Sequence, residues 1–412
     1  MIDCKRAGRS RTKRPPHRCG EPSAKRADEP RPDVVEPAGL YIHIPFCRKK
    51  CSYCDFFSVT DLSLLPAFVK ALGAEIRLTA SAVAAVDTVY LGGGTPSTLP
   101  PAYLQRILNA VRKEYPLQTD PEITMEVNPG TVSARRLAAY RRLGINRLHI
   151  GVQSFQEQNL ALLGRIHRVQ QALDTISWAR RAGFDNLGLD LIYGLPGQRL
   201  QQWEKDLQQA AGCGVEHLSC YTLTFEAGTP MEKDLRQGRL QPPSDRLVAD
   251  MMMLTVERLA DFGYHRYEVS NFARSACLRS RHNQKYWTLA PYVGLGPSAH
   301  SWITPERSWN KKDLAAYLQD LDNGRLPIGG REILDRRQMI TEAVLLGLRT
   351  ADGIDCNRFA ERFGVSVAQL FGEVIGRLAS EGLLSSDPGR ISLTDRGMLL
   401  LDAVVAEFAA EL

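Results

Sequence analysis

Between residues 39 and 224 the chain repeats one pattern six times: a short apolar run followed by a longer amphipathic stretch. The apolar runs are GLYIHIP (39–45), VDTVYLGGG (86–94), EITMEVNPG (122–130), NRLHIGVQS (146–154), DNLGLDLIYGLPG (185–197) and EHLSCYTLT (216–224). Between them, LPAFVKALGAEIRLTA (65–80) and PAYLQRILNAVRKEY (101–115) place apolar residues at i, i+3 and i+4, the spacing of one helix face. SARRLAAYRRLG opens on a serine cap and stops at Gly144, and VQQALDTISWARRAG stops at Gly183. Strands alternating with helices predict a parallel sheet with helical crossovers. Six such units predict an α/β fold, an open partial (β/α)6 barrel rather than a closed eightfold one. A β/α barrel gathers its ligands at the C-terminal ends of its strands. Those ends carry a cysteine loop, Gly92–Gly94, Glu126, Gln153 and Asp190.

The rest of the chain breaks this pattern. SDRLVADMMMLTVERLADFGY (244–264) reads as a further amphipathic helix, with Met251–Met253 on its packed side. Residues 274–327 read as loop-rich, with Trp287, Trp302 and Trp309. Residues 356–405 read as helix–helix–hairpin–helix, a winged-helix-like α+β unit. Its second helix carries one arginine and two acids, so it is not a nucleic-acid reader. The expected organisation is a disordered basic tail over 1–38, a barrel over 39–265, an extension with connecting loops over 266–330 and a C-terminal domain over 331–412. The tail holds ten Lys or Arg against six Asp or Glu, which leaves +2 of the net +6 for the other 374 residues. A nearly neutral body shows no nucleic-acid footprint. No apolar run reaches membrane-spanning length and no secretory h-region opens the chain, so a cytoplasmic location is expected. Nine scattered cysteines without a signal peptide fit a reducing compartment, with thiols free or metal-bound.

Three of those cysteines cluster. FCRKKCSYCDF (46–56) sets Cys47, Cys51 and Cys54 at C-x3-C-x2-C. A closed zinc site takes four ligands, so the fourth would have to come from elsewhere in the chain. A four-iron cluster held by three thiolates keeps one iron open for a further ligand. Incidental thiols are the bland alternative, and three within eight residues after a strand argue against it.

The stretch YIHIPFCRKKCSYCDFF resembles the radical SAM superfamily, and within it the oxygen-independent coproporphyrinogen III oxidase branch. The resemblance runs from about Gly39 to the C-terminus. It implies a partial (β/α)6 barrel with a [4Fe–4S] cluster on Cys47, Cys51 and Cys54, whose open iron chelates S-adenosylmethionine (SAM). It also implies an electron donor, and reductive cleavage of SAM to a 5′-deoxyadenosyl radical. In that family LGGGTPS (91–97) meets the methionine amine, so Gly93, Gly94 and Thr95 become SAM candidates. Glu126, Gln153 and Asp190 follow at successive strand ends. Arg165 is the forked partner for the SAM carboxylate. Tyr41, Tyr53 and, more remotely, Thr222 complete the set. His43 shares a strand face with Tyr41, while His149 reads as a core histidine.

Two features separate the chain from the oxidase. The oxidase motif carries a further cysteine two residues after the third, where this chain has Phe56. RHNQKYW (281–287) contains H-N-x-x-Y-W, which is associated with heme binding in a sister group, the HemW-type heme chaperones. His282 is then the candidate ligand of heme b, with Tyr286 and Trp287 as apolar faces. GLGPSAHS (294–301) is similar to that group, with His300 as a residue facing SAM or substrate. The implied function is binding of cluster, SAM and heme and delivery of heme to acceptor proteins of respiration. Oxidative decarboxylation of coproporphyrinogen III is the alternative. Homodimerisation and peripheral attachment to a membrane are both compatible with such a chain.

Overall fold

A computed structural model describes residues 36–412. The expected tail lies outside the described residues except for Glu36, Pro37 and Ala38, and Ala38 is already buried in the first strand. The strands are β1 (Ala38–Ile44), β2 (Val86–Gly93), β3 (Leu117–Val127), β4 (Arg147–Gln153), β5 (Leu187–Tyr193) and β6 (His217–Thr222). After them come β7 (His265–Glu268), β8 (Asn271–Ala273), β9 (Tyr292–Leu295), β10 (His300–Ile303), β11 (Glu306–Asn310), β12 (Ile328–Ile333), β13 (Ile354–Asp355), β14 (Leu384–Asp387) and β15 (Arg390–Leu393).

Side-chain alternation fixes which way each strand faces. Leu40, Ile42 and Ile44 of β1 are fully buried in the outer core with Val89 and Leu91 of β2. Leu104, Ile107, Leu108 and Val111, one stripe of the helix Pro101–Glu114, cover that core. The opposite face carries Tyr41 and His43 of β1, Tyr90 of β2, Glu126 of β3, His149 of β4 and Asp190 of β5. Two of the helices start at serine caps. Ser133 accepts from Arg136 N at the cap of Ala134–Arg142, and Ser244 accepts from Leu247 N at the cap of Asp245–Asp261.

Strands β1 to β6 pair in parallel and in chain order, as the six units predicted. The sheet is larger than they are. β9 adds to the outer side of β1 in parallel, and β10, β11 and β12 continue antiparallel. β8 and β7 extend the other edge beyond β6. The described residues form one sheet of twelve strands, with β12 and β7 at its edges. The loop-rich reading of 274–327 is therefore corrected: it holds three strands and the helices Arg281–Trp287 and Leu314–Asp322. These strands are four or five residues long, too short for alternation to register, and the first of them, β9, pairs with β1, some 250 residues earlier.

A second apolar cluster joins Ile340, Val344 and Leu348 to Phe359, Phe371, Leu378, Leu393 and Phe408. It is the core of the winged-helix-like unit, whose small sheet runs β13-β15-β14. Met251 is buried as read, whereas Met253 is exposed. Cys277 is disulfide-bonded, which departs from the expectation of thiols alone.

Glu75, on the helix Leu65–Thr79, pins the extension to the barrel. It is 1% exposed and accepts from Gly296 N (2.8 Å), Asn310 Nδ2 and Tyr317 OH (2.6 Å). Glu75→Ala removes the acceptor shared by these three groups and leaves Gly296 N and Tyr317 OH buried without one, while Asn310 Nδ2 keeps Gly296 O. The expected loss is on the order of a few kcal/mol, read as a lower midpoint in denaturant unfolding.

Candidate functional site

The thiol loop is built on the end of β1. Cys47 N donates to Val59 O (2.9 Å) and Val59 N to Pro45 O (2.7 Å), so the loop closes as a short two-stranded bridge. The glycine loop after β2 lies directly against it. Gly94 N donates to Ile44 O (2.9 Å) and Thr95 N to Phe46 O (2.8 Å). A Cβ on Gly94 would sit 2.8 Å from Ile44 O, so only glycine permits this approach. Cys47 Sγ lies 3.3 Å from Thr95 Oγ1. The other side of the loop is held by Ser52, which donates to Leu162 O (3.2 Å) and accepts from Met231 N (2.9 Å). Arg165 closes the arrangement. Its Nη1 approaches Cys51 Sγ at 3.5 Å, its Nη2 donates to Gly151 O (2.8 Å), and it hydrogen-bonds Tyr53.

Next to this loop the inward face of the strands carries a connected polar group. Tyr90 OH donates to Glu126 Oε1 (2.9 Å), and Gly93 N donates to Glu126 Oε2 (3.2 Å). Burial, then the Asp190 carboxylate, pushes Glu126 up to about 8. His149 Nδ1 lies 3.2 Å from Asp190 Oδ1. Burial, with Arg147 adding to it, lowers the His149 imidazole despite that carboxylate. Tyr41 stacks on Tyr90 and its OH bonds His43 Nδ1 (3.1 Å), while His43 Nε2 bonds Phe57 O (2.8 Å). Gln153 ends β4 at a register shift with φ +71°, strained for a residue with a side chain. A Cβ on Gly151 would meet Gln153 Nε2 at 2.9 Å and Arg165 Nη2 at 3.3 Å, so those two groups flank Gly151.

Comparison with known proteins fits this geometry. Residues 41–210 match the Radical SAM superfamily model, and residues 334–400 match the HemN C-terminal domain. The heme chaperone HemW of Bacillus subtilis is 34% identical over 376 residues, covering 90% of this chain and 99% of that protein. The heme chaperone HemW of Mycobacterium tuberculosis is 37% identical over 378 residues, covering 90% and 94%. The chain belongs to the HemW family of radical SAM proteins. The solved structure of coproporphyrinogen III oxidase (HemN) from Escherichia coli, a radical SAM enzyme, superposes with a TM-score of 0.79 at 27% identity, over 92% of this chain and 91% of that one.

A radical SAM domain implies a [4Fe–4S] cluster and SAM, and the residues present fit both. The three loop thiols are free. Among the described residues no three His, Cys, Asp or Glu side chains converge as around a single metal ion. A multi-iron cluster places its thiolates on separate irons. Arg165 Nε and His149 Nε2 are buried and find no hydrogen-bond partner among the described residues. Orphaned polar atoms beside a carboxylate pair suit a polar, charged ligand.

Most of the expected SAM residues therefore cluster here: Tyr41, Tyr53, Gly93, Gly94, Thr95, Glu126, Gln153, Arg165 and Asp190. Thr222 does not join them. It shares strand parity with Leu218 and Cys220, which pack in the outer core, and it contacts Tyr193 and Gly194. Tyr90 was missed, and His149 was read as core. Inward parity along β2 and β4 was the available signal for both. His300 lies on the β10–β11 hairpin, exposed and stacked on Trp309.

The H-N-x-x-Y-W segment of this HemW-family chain forms the helix Arg281–Trp287. Glu122 of β3 holds its start by accepting from Arg281 N (3.1 Å) and His282 N (3.0 Å). His282 lies inside the barrel. It is 1% exposed, with Nδ1 bonded to Thr88 Oγ1 (2.9 Å) and Nε2 to Tyr286 OH (2.9 Å). Burial lowers it to about 3, so it stays neutral. Its ring stacks on Tyr90 at 5.2 Å. Both nitrogens are engaged, so none is presented to an iron in this arrangement.

Two outcomes test the site. Gly94→Ala drives the loops apart and is expected to cost about 1–3 kcal/mol of stability, with markedly less iron and sulfide bound after reconstitution. For Glu126 the folded-state value lies above the unfolded one. Its unfavourable contribution therefore grows as pH rises from about 4.5 to about 8. Glu126→Gln lacks that slope, so its melting temperature should gain on the wild type from pH 5 to pH 8.

Proposed function

We propose that this protein is a heme chaperone that carries a [4Fe–4S] cluster and SAM and hands heme to acceptor proteins. The observation that carries the reading is the match over 90% of the chain to the heme chaperone HemW of Bacillus subtilis, which reaches 99% of that protein. Phe56 supports it. The side chain is 65% exposed, two residues after Cys54, where the oxidase motif has a cysteine.

In this reading Cys47, Cys51 and Cys54 hold the cluster, and Thr95 and Arg165 line the thiolates. Arg165 forks to the SAM carboxylate, Glu126 takes the ribose or amine, and Asp190 is held by His149. Tyr41, Tyr53, Gly93, Gly94 and Gln153 shape the remaining wall. The cluster, when reduced by an electron donor, supplies the electron for radical chemistry on SAM. Decarboxylation of coproporphyrinogen III is the second reading, favoured by the superposition on Escherichia coli HemN.

The deciding experiment uses anoxically reconstituted protein. Titration with heme should give a saturable shift of the Soret band, and the loaded protein should transfer heme to an apo-acceptor such as apo-myoglobin. No protoporphyrinogen should form from coproporphyrinogen III with SAM and reductant. Absence of heme binding together with protoporphyrinogen formation would sink the chaperone reading.

A further inference from the structure

The thiol loop has a packed side and an open side. Its backbone and inner side chains are held by Val59, Thr95, Leu162 and Met231. Cys47 is buried, and Cys51 and Cys54 are half-buried. Arg48, Lys49 and Lys50 fill the whole interval between the first two thiols, and all three are exposed. This is a local concentration of charge. The 374 residues after the tail carry a net charge of only +2, less than these three residues supply.

No carboxylate is set against these cations. Arg48 Nη1 donates to a backbone oxygen, Gly130 O, at 3.1 Å. None of Arg48, Lys49 and Lys50 forms an ion pair among the described residues. Asp55, exposed next to Cys54, is the one acid within residues 46–56. Exposed apolar groups flank the charges. Ile166, 38% exposed, lies over the same Gly130 that Arg48 holds: a Cβ there would meet Ile166 Cγ1 at 2.9 Å. Phe56 is exposed on the other side of the loop, and its backbone hydrogen-bonds the Cys54 thiol. Unpaired charges steer a partner of opposite sign and set its register, and apolar contacts beside them hold it. An electron bound for the thiol loop has to enter from outside. Electron transfer falls off steeply with distance, so a donor protein seats where the thiols come nearest the surface. The side facing Glu126 and Asp190 is, in the reading above, taken by SAM, which leaves the cationic side.

We propose that the outer side of residues 47–56 is the docking surface for a small acidic one-electron carrier protein. Arg48, Lys49 and Lys50 meet its acidic face, and Phe56 and Ile166 make the apolar contacts. The proposal rests on the reading of Cys47, Cys51 and Cys54 as cluster ligands and names the partner of that site. With flavodoxin as the carrier, the anionic flavin hydroquinone loses one electron and becomes the neutral semiquinone. The cluster gains that electron, passing from the 2+ to the 1+ state, and no proton moves and no bond forms or breaks.

The test mixes the full chain, both cluster-free and anoxically reconstituted, with reduced flavodoxin. Carbodiimide joins amines to carboxylates in contact, so it should link Lys49 or Lys50 to flavodoxin acids in both forms. Binding should weaken as salt is raised. Lys49→Glu/Lys50→Glu alters two exposed side chains that hold nothing in the fold, so the variant should fold normally. It should weaken flavodoxin binding about tenfold or more and slow flavodoxin oxidation. Excess dithionite, which needs no docking, should still reduce its cluster to the wild-type end point by EPR. Lys49→Arg/Lys50→Arg should keep wild-type binding. Binding indifferent to salt and to the charge reversal, or cross-links lying only outside residues 46–56, overturns the surface and leaves the chaperone reading standing. So does capture of phosphatidylglycerol vesicles that the charge reversal abolishes, without a flavodoxin cross-link, which gives the patch to an anionic membrane. A chain that takes up no iron and sulfide on reconstitution removes the cluster reading itself, and the docking proposal with it.

Discussion

The contact on which the site depends is the one between the end of β1 and the glycine loop after β2. Two backbone hydrogen bonds, Gly94 N to Ile44 O and Thr95 N to Phe46 O, join the thiol loop to the loop that faces it. They exist because no side chain stands at residue 94 and because β1 and β2 are parallel neighbours in register, Ile44 opposite Gly93. With both loops fixed at one rim, Cys47 meets Thr95, and Glu126 on β3 meets Gly93 N. Parallel pairing continues the same logic around the sheet and delivers Gln153 and Asp190 to that rim.

A polar interior follows from this arrangement and has a cost that the structure distributes. Glu126, Asp190, His149, Arg147, His217 and Glu122 all face inward, in a region where an unpaired polar group is expensive. Most find partners: Glu126 in Tyr90 and Gly93, Glu122 in the helix start at Arg281 and His282, and His217 Nε2 in Tyr267 OH at 2.6 Å. The unpaired atoms are informative. Arg165 Nε, beside the thiol loop, His149 Nε2 and Arg147 Nη1 and Nη2 are buried without a hydrogen-bond partner among the described residues. The helix Arg281–Trp287 reaches both the interior, through the His282–Tyr90 stack, and an outer cavity against the C-terminal unit, through Trp287. One short element thus touches the surroundings of Glu126 on one side and the outer cavity on the other.

Much of this was legible in the chain itself. Alternating runs predicted six parallel strands, and their bounds lie within a few residues of those observed, except that β3 begins earlier, at Leu117. Strand-end logic and family resemblance together named nine residues that the structure gathers beside the thiol loop. Thr222, exposed at the end of β6 and bonded to Tyr193, was the exception because its strand parity turns it off the inward face. The strands of residues 274–327 were illegible for a different reason. β9 is defined by pairing with β1, and its four residues carry no periodicity of their own to signal that.

The H-N-x-x-Y-W segment shows most clearly where sequence stops. Sequence alone determined that an imidazole, a phenol and an indole sit within six residues, and the three-thiol loop determined which superfamily chemistry the chain can host. Which way each ring points was decided by the fold. Glu122 anchors the helix start, helical spacing stacks His282 over Tyr286, and the C-terminal unit packs over the far side of Trp287. Residue types are written locally, whereas exposure is set by whatever distant segment packs across them, and here that segment comes from the last eighty residues of the chain.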